Sequence, residues 1–276
     1  MYDVDLHTHT RFFHGFTGKT TPYDPVGVRL LAAVAGWRGL DGIATTNHDY
    51  GRDFSIAGGT MTIPGIEVTT TGGHMLIVGP DPPRMTEPGR LTPHQAVEVA
   101  HDRNCAAIVA HPYRNSTIRE TDADFDAVEV NGKGIDHERV ADLAGRLNLP
   151  LVGGSDAHYP VEVGRAFTRV DADELTPESV VEAIRDGRVA AYISESRTDQ
   201  VLRSIYTAIH TRKGWLDRPT APGVGPPPEE DAGEGTPDVE AAGGEPLDAH
   251  EAAEGAPDVD EARSPTTGRS DPPGGG

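Results

Sequence analysis

The sequence predicts a parallel α/β architecture, a barrel, followed by a segment that does not fold with it. Two observations predict the barrel: short apolar runs alternate with helix-period stretches, and chemically loaded residues recur just after the runs. A third, a change of composition near residue 215, marks the end of the folded part.

Tyr2 to Leu6 reads as the first strand. Pro25 to Trp37 follows as a helix, with Val28, Leu31, Ala32 and Ala35 on one face. Gly42 to Thr45 is a second strand, and Met61 to Val68 and His74 to Val78 are strands joined through Gly72-Gly73. Thr92-Pro93 starts a helix, the threonine as N-cap and the proline in the first turn, running to about Asn104. Ala106 to Ala110 and Ala127 to Val130 are strands, then a helix from about Asp136 to Leu147, then a strand at Leu151 to Gly153. Ala166 to Val170 is a further strand, Thr176-Pro177 starts a helix ending near Gly187, Val189 to Ile193 is a last strand, and 199–213 a last helix.

Residues 1–215 form one domain, and 216–276 are expected to be a disordered acidic tail. The tail carries 15 acidic and 3 basic residues, 11 prolines, 11 glycines and no aromatic residue. It has too little apolar surface to offset the entropy of ordering it. The formal charge of the whole chain is -20, which disfavours broad electrostatic attachment to nucleic acid. Acidic excess with only three lysines, Lys19, Lys133 and Lys213, is similar to the composition of proteins from salt-accumulating halophiles. The single cysteine, Cys105, rules out an internal disulfide and reads as buried packing. The first ten residues do not have a signal peptide's pattern, and no apolar run is long enough to span a bilayer. A cytoplasmic protein without a membrane partner is expected.

The chemistry gathers at the strand ends. The first strand runs into Asp5-Leu6-His7-Thr8-His9-Thr10. Strand alternation predicts Asp5, His7 and His9 pointing into a barrel mouth and Val4 and Leu6 pointing toward covering helices. His14 follows in the loop. The second strand ends in Thr46-Asn47-His48-Asp49, the third carries Gly65-Ile66-Glu67, and His74 comes next. Later strands end in Ala110-His111-Pro112 and in Gly154-Ser155-Asp156-Ala157-His158. Seven histidines and two carboxylates thus fall where parallel barrels build their sites. Mixed imidazole and carboxylate ligands suit Zn²⁺, Mn²⁺ or Fe²⁺ better than Mg²⁺. His94, His101, His137, His210 and His250 do not end strands and read as surface or packing residues.

These motifs, in this order over residues 2–195, resemble those of the PHP family, the polymerase and histidinol phosphatase domain. The resemblance implies a distorted (β/α)7 TIM-like barrel with two or three divalent metals. It implies that His7, His9, Glu67 and Asp156 hold one metal. Glu67 would bridge to a second held by His74 and His111, and His14, His48 and His158 would hold a third. The family usually has an acidic residue where Asn47 stands.

The activity implied is metal-dependent hydrolysis of a phosphate ester. The expected substrate is a nucleotide-like phosphomonoester or the 5' end of a short single-stranded oligonucleotide. Asp156 or His158 would protonate the leaving group. Arg114 is the first candidate for clamping phosphate and Arg165 the second. Asp5 and Asp49 are candidates for orienting the ligand imidazoles, and Glu129 and Asn131 for lining the mouth. An amidohydrolase-type hydrolase also uses a His-x-His strand but bridges its metals with a modified lysine, and no lysine here ends an obvious strand. A non-catalytic metal-binding scaffold working through its tail is the reading from another class. No motif residue follows His158, so a chain ended after Gly214 is expected to fold and keep its turnover, as an activity assay beside the full-length chain would check.

Overall fold

The computed structural model describes residues 1–11, 20–56, 58–114, 116–134 and 136–194, and beyond these 199–201, 204–205, 208 and 212. His14, the tail and most of the helix expected over 199–213 lie outside the described residues. The strands are β1 (Tyr2–Thr8), β2 (Gly42–Thr45), β3 (Met61–Thr70), β4 (Gly73–Val78), β5 (Ala106–Val109), β6 (Ala127–Asn131), β7 (Leu151–Gly154), β8 (Ala166–Val170) and β9 (Val189–Ile193). The helices are α1 (Asp24–Trp37), α2 (Pro93–Asp102), α3 (His137–Leu147) and α4 (Pro177–Arg185). The strands form one sheet in the order β7-β6-β5-β4-β3-β2-β1-β8-β9.

Beyond β7 the chain returns to β1. Thr8 and Ala157 form a parallel bridge. His9 N–H donates to the Ala157 carbonyl at 2.8 Å, and Ala157 N–H to the His7 carbonyl at 3.2 Å. These bonds curl the sheet into a nearly closed, TIM-like α/β barrel.

Strand–helix alternation alone predicts a parallel sheet, and the sheet is mixed. It is parallel over β1–β3 and over β5–β7. It is antiparallel at β3–β4, β4–β5, β1–β8 and β8–β9. The reversal at β4 is a matter of connection length. Thr70 pairs with Gly73, so two residues make the turn, too few for a parallel crossover. Gly73 has φ +128°, and a Cβ there would lie 2.3 Å from the Ser116 hydroxyl, so the turn requires glycine.

The helix starts follow the sequence. Thr92 and Thr176 each accept a hydrogen bond from the third helical backbone N–H, with Pro93 and Pro177 in the first turns. Such caps are each worth about 1 kcal/mol. Leu6, Ala44, Ile63, Leu76, Ile108 and Val152 pack together with Val180, Val181 and Ile184 of α4. Arg185 of α4 donates to the Cys105 carbonyl, at the amino end of β5. α4 therefore closes the end of the barrel opposite the carboxyl ends of the parallel strands. α2 and α3 cover the outside of β3–β6, and α1 covers Ile43, Ala157 and Val163. Cys105 is buried and burial pushes its thiol up to about 11, as a packing residue requires.

β1 departs from simple alternation. Val4 and Leu6 pack with residues of the other strands and α4, not against α1–α3. The pairing of β1 with β2 shifts register between Asp5 and Thr8, and this shift breaks the period-two pattern. His7 and His9 therefore reach the mouth without Asp5. The Asp5 carboxylate instead accepts backbone N–H bonds from His7 (3.2 Å), Ser155 (2.9 Å) and Gly164 (2.8 Å). It ties β1 to the start of the Asp156 loop and to the approach to β8. Burial pushes its pKa up to about 6 even with those donors. Asp5→Ala leaves the three donors without their acceptor and should lower unfolding free energy by about 2–4 kcal/mol. Chemical denaturation beside the parent protein measures this.

Candidate metal centre

The site is organised around one fully buried carboxylate, Glu67 on β3. Asn47 carbonyl accepts Glu67 N–H at 3.1 Å and Glu67 carbonyl accepts Asp49 N–H at 2.8 Å, so the Thr46–Asp49 turn is pinned to β3. The two carboxylate oxygens face two sets of imidazoles. Oε2 lies 3.2 Å from His7 Nε2, 3.3 Å from His9 Nε2 and 3.0 Å from His48 Nδ1. Oε1 lies 2.8 Å from His74 Nδ1 and 3.0 Å from His111 Nε2.

Asp156 approaches from beyond β7. Its Oδ1 is 3.3 Å from His9 Nε2, 3.3 Å from His158 Nδ1 and 3.8 Å from His7 Nε2. Its Oδ2 accepts from Arg114 at 2.6 Å. The His9 ring stacks on His158 with centroids 4.1 Å apart and on His48 at 4.6 Å. Three groups of ligand atoms converge within 4.8 Å: His7, His9 and Asp156; His48, Glu67 and His74; and His9, His48 and His158. Eight of the nine sequence-predicted ligands thus meet in one place, and the ninth, His14, lies outside the described residues. His48 belongs to two of these groups, one with His9 and His158 and one with Glu67 and His74.

The donor set fits divalent metal. His7 Nε2 and His9 Nε2 are 3.1 Å apart and both face carboxylate. The other His7 nitrogen, Nδ1, donates to Glu129 Oε1 at 2.7 Å, which orients the ring with Nε2 facing the cluster. Glu129 Oε2 accepts His111 N–H at 2.8 Å, so one carboxylate sets two ligands. That approach needs Gly154, where a Cβ would lie 2.4 Å from Glu129 Oε1 and 2.5 Å from the His7 Cβ. The orienting role expected of Asp5 and Asp49 falls to Glu129. Asp49 accepts instead from Thr69 N–H, Thr69 Oγ1 and Thr86 Oγ1, bracing the loop after β2. Asn47 Oδ1 accepts from Thr10 N–H and Thr10 Oγ1.

Two further residues escaped the sequence reading. Glu162, fully buried, accepts the His158 and Tyr159 N–H groups at 2.7 and 3.0 Å and holds the Asp156–His158 turn. The Tyr159-Pro160-Val161-Glu162 string, a helix-start pattern with an acid at the third position, was its available signal. Lys133 stands two residues past β6 and is buried beside Asp156 and His158, correcting the reading that no lysine ends a strand. His137 also lines the cavity next to His111, together with Arg114, Glu129, Asn131 and Lys133. Arg165 is wholly buried, its Cβ against Gly132 just past β6. His94 and His101 lie on α2 and pair with Asp122 and Asp126, away from the cluster.

Electrostatics favours the neutral, ligating form at His9, His48 and His111 and the charged form at His7 and His74. Burial holds His9 well below the usual imidazole range and, against the pull of Glu67, brings His48 to about 4. Burial and Arg114 bring His111 to about 4. These imidazoles are neutral at neutral pH, the form that binds metal. Burial works against ionisation of Glu67, but His48, His7 and His74 outweigh it and hold the carboxyl well below its usual range. Lys133, Arg114 and His7 do the same for Asp156 against its burial. Burial pulls His7 down, but Glu129, Glu67 and Asp156 raise it well above the ordinary value.

Comparison with known proteins agrees with this geometry. Residues 134–189 match the PHP-associated family model PHP_C. No curated protein matches the chain. PsfC from Pseudomonas syringae PB-5123 is similar in structure, with TM-score 0.58 and 19% identity over 75% of this chain and 98% of that one. A two-domain protein from Bacteroides vulgatus ATCC 8482, containing a predicted PHP-like metal-dependent phosphoesterase, aligns with TM-score 0.50 and 21% identity over 74% of this chain and 69% of that one. The lesion-specific endonuclease PfuEndoQ from Pyrococcus furiosus aligns with TM-score 0.50 and 19% identity over 69% of this chain and 57% of that one. The resemblance to the PHP family carried by the strand-end motifs is therefore matched by the PHP-associated segment and by a barrel fold shared with a PHP-like protein.

Proposed function

We propose that the chain is a metal-dependent hydrolase of phosphate esters. The observation that carries this is Glu67, with each oxygen facing its own set of imidazoles, the arrangement of a carboxylate shared by two ions. The proposed ligands are His7, His9, His48, Glu67, His74, His111, Asp156 and His158, with His14 from the loop after β1. Zn²⁺ or Mn²⁺ suits them, Fe²⁺ also, in two or three sites. Bound metal would supply Lewis acidity and a lowered pKa for water at the phosphorus.

The chain's own residues do the rest. Glu129 fixes His7 through Nδ1 and His111 through its backbone. Arg114, partly exposed at the mouth, presents a guanidinium to phosphate oxygens while anchored on Asp156. Arg165 is the second candidate clamp. Asp156 and His158, two residues apart, are the candidates for protonating the leaving oxygen. The substrate is a nucleotide-like phosphomonoester or the 5' end of a short single-stranded oligonucleotide. The Pyrococcus neighbour, a lesion-specific endonuclease, supports a nucleic-acid substrate, and the chain spans 57% of its length. Residues 1–215 carry 29 acidic and 21 basic residues, and that net charge of -8 favours small or short substrates over a long polyanion. An amidohydrolase-type centre is disfavoured because the group proposed to bridge is Glu67 and not a lysine, and Lys133 lies on the Asp156–His158 side. Among the described residues no helix is long and apolar enough to cross a membrane.

The test is a panel at high salt with Mn²⁺ or Zn²⁺: nucleotides, histidinol phosphate, and 5'-phosphorylated RNA and DNA oligomers. Phosphate or mononucleotide release is expected from at least one, and release from none with metal fully bound would reject the reading. Glu67→Ala is expected to reduce bound metal and activity by orders of magnitude, roughly a hundredfold or more in turnover. Full metal content in that variant by elemental analysis would refute the bridging role, with His101→Ala serving as an unaffected control.

A further inference from the structure

Lys133 is delivered to the centre by the end of β6. The chain turns at Gly132, where a Cβ would lie 3.1 Å from both the Ser155 Cα and the Arg165 Cβ. Asn131 Oδ1 then accepts Lys133 N–H at 2.9 Å, and Asn131 carbonyl accepts Gly134 N–H at 2.9 Å. The turn sends the Lys133 side chain back to the mouth, where it is only 6% exposed. Its Nζ lies 3.0 Å from His158 Nδ1, 3.5 Å from Asp156 Oδ1 and 4.0 Å from Glu162 Oε2. With Arg114 it lines the cavity that opens beside His111.

The two oxygens of Asp156 are therefore served by two cations. Arg114 holds Oδ2 at 2.6 Å, while Lys133 faces Oδ1 at 3.5 Å. Oδ1 is also the oxygen that converges with His7 and His9. With His7, His9 and Asp156 as ligands, that oxygen would be shared between a bound ion and the ammonium. The ammonium would keep Glu162 Oε2 at 4.0 Å, but with Asp156 Oδ1 shared its charge would be less fully compensated, which favours a further anion beside it. The available place is the cavity it shares with Arg114, and the anion that suits an ammonium and a guanidinium beside bound metal is a phosphoryl group with several charged oxygens.

We propose that Lys133 is a phosphate-binding residue, gripping a phosphoryl oxygen from the side of Asp156 that Arg114 leaves open. This rests on the phosphoesterase reading for the identity of the substrate, but the anion site is tested without turnover. Inorganic phosphate is titrated calorimetrically into full-length, Mn²⁺-loaded protein, for the parent, Lys133→Met, Lys133→Gln and Lys133→Arg, with metal content measured on each. Lys133→Met and Lys133→Gln are expected to keep parent metal content and to bind phosphate roughly tenfold or more weakly. Lys133→Arg, which keeps the charge, should recover part of the affinity. If Lys133→Met does not fold, Lys133→Gln, which retains a donor toward His158, carries the same expectation. Parent affinity in a metal-loaded Met or Gln variant overturns the proposal, as does a parent protein that binds no phosphate. Loss of metal in step with loss of phosphate also overturns it, because Lys133 would then serve His158 and Asp156 alone. Phosphate binding that depends on Lys133, in a protein that hydrolyses nothing in the panel, would reject the hydrolase reading and leave this one standing.

Discussion

A carboxylate with no access to water must be surrounded by groups that compensate it, and Glu67 meets that demand with five imidazoles from four parts of the chain. His7 and His9 come from the end of β1, His48 from the turn after β2, His74 from β4 and His111 from beyond β5. None of these segments can shift alone without leaving a buried charge short of a partner. The barrel closure through Thr8 and Ala157, the pinning of the Thr46–Asp49 turn to β3, and the β3–β4 hairpin all serve to bring those rings to one point. The same convergence would repel itself if every imidazole were protonated, so the fold and a metal-competent charge state favour each other.

Around this centre the protein keeps a graded arrangement of charge. Glu129 and Glu162 lie outside it and hold ligand rings or ligand backbone in place. Arg114 and Lys133 stand on the oxygens of Asp156. Arg114 and Lys133 line the cavity beside the cluster together with Glu129, while Glu162 holds the turn behind His158. The two cations suit an anion entering from the mouth, although the chain as a whole carries a charge of -20.

Much of this was legible in the sequence because it is local. Thr92-Pro93 and Thr176-Pro177 announce helix starts through chemistry confined to four residues. The histidine and carboxylate motifs sit at strand ends because a barrel puts its working residues there, and a strand end can be read from where an apolar run stops. What could not be read depends on contacts distant in sequence or on small breaks in regularity. The register shift in β1 separates the facing of His7 from that of Asp5, and no residue type in Asp5-Leu6-His7 announces it. Glu129 meets His7 across 122 positions. Lys133 reaches Asp156 only through the turn at Gly132. Asp49 looked like a partner for an imidazole because it follows one, yet its oxygens are taken by Thr69 and Thr86.

The backbone at the strand ends has a consequence for how such a chain can change over evolutionary time. Asp49, His111 and Asp156 all adopt positive φ, at 56°, 26° and 54°, where side chains other than glycine are disfavoured. Two of the three carry proposed ligand atoms, so glycine would relax the main chain there only by deleting the chemistry. Selection for a more robust fold and selection for a working centre therefore pull these codons in opposite directions. A descendant freed from its catalytic duty would be expected to drift toward glycine or asparagine at His111 and Asp156 first. Those two positions then act as a record, within any set of related chains, of which ones still use the centre.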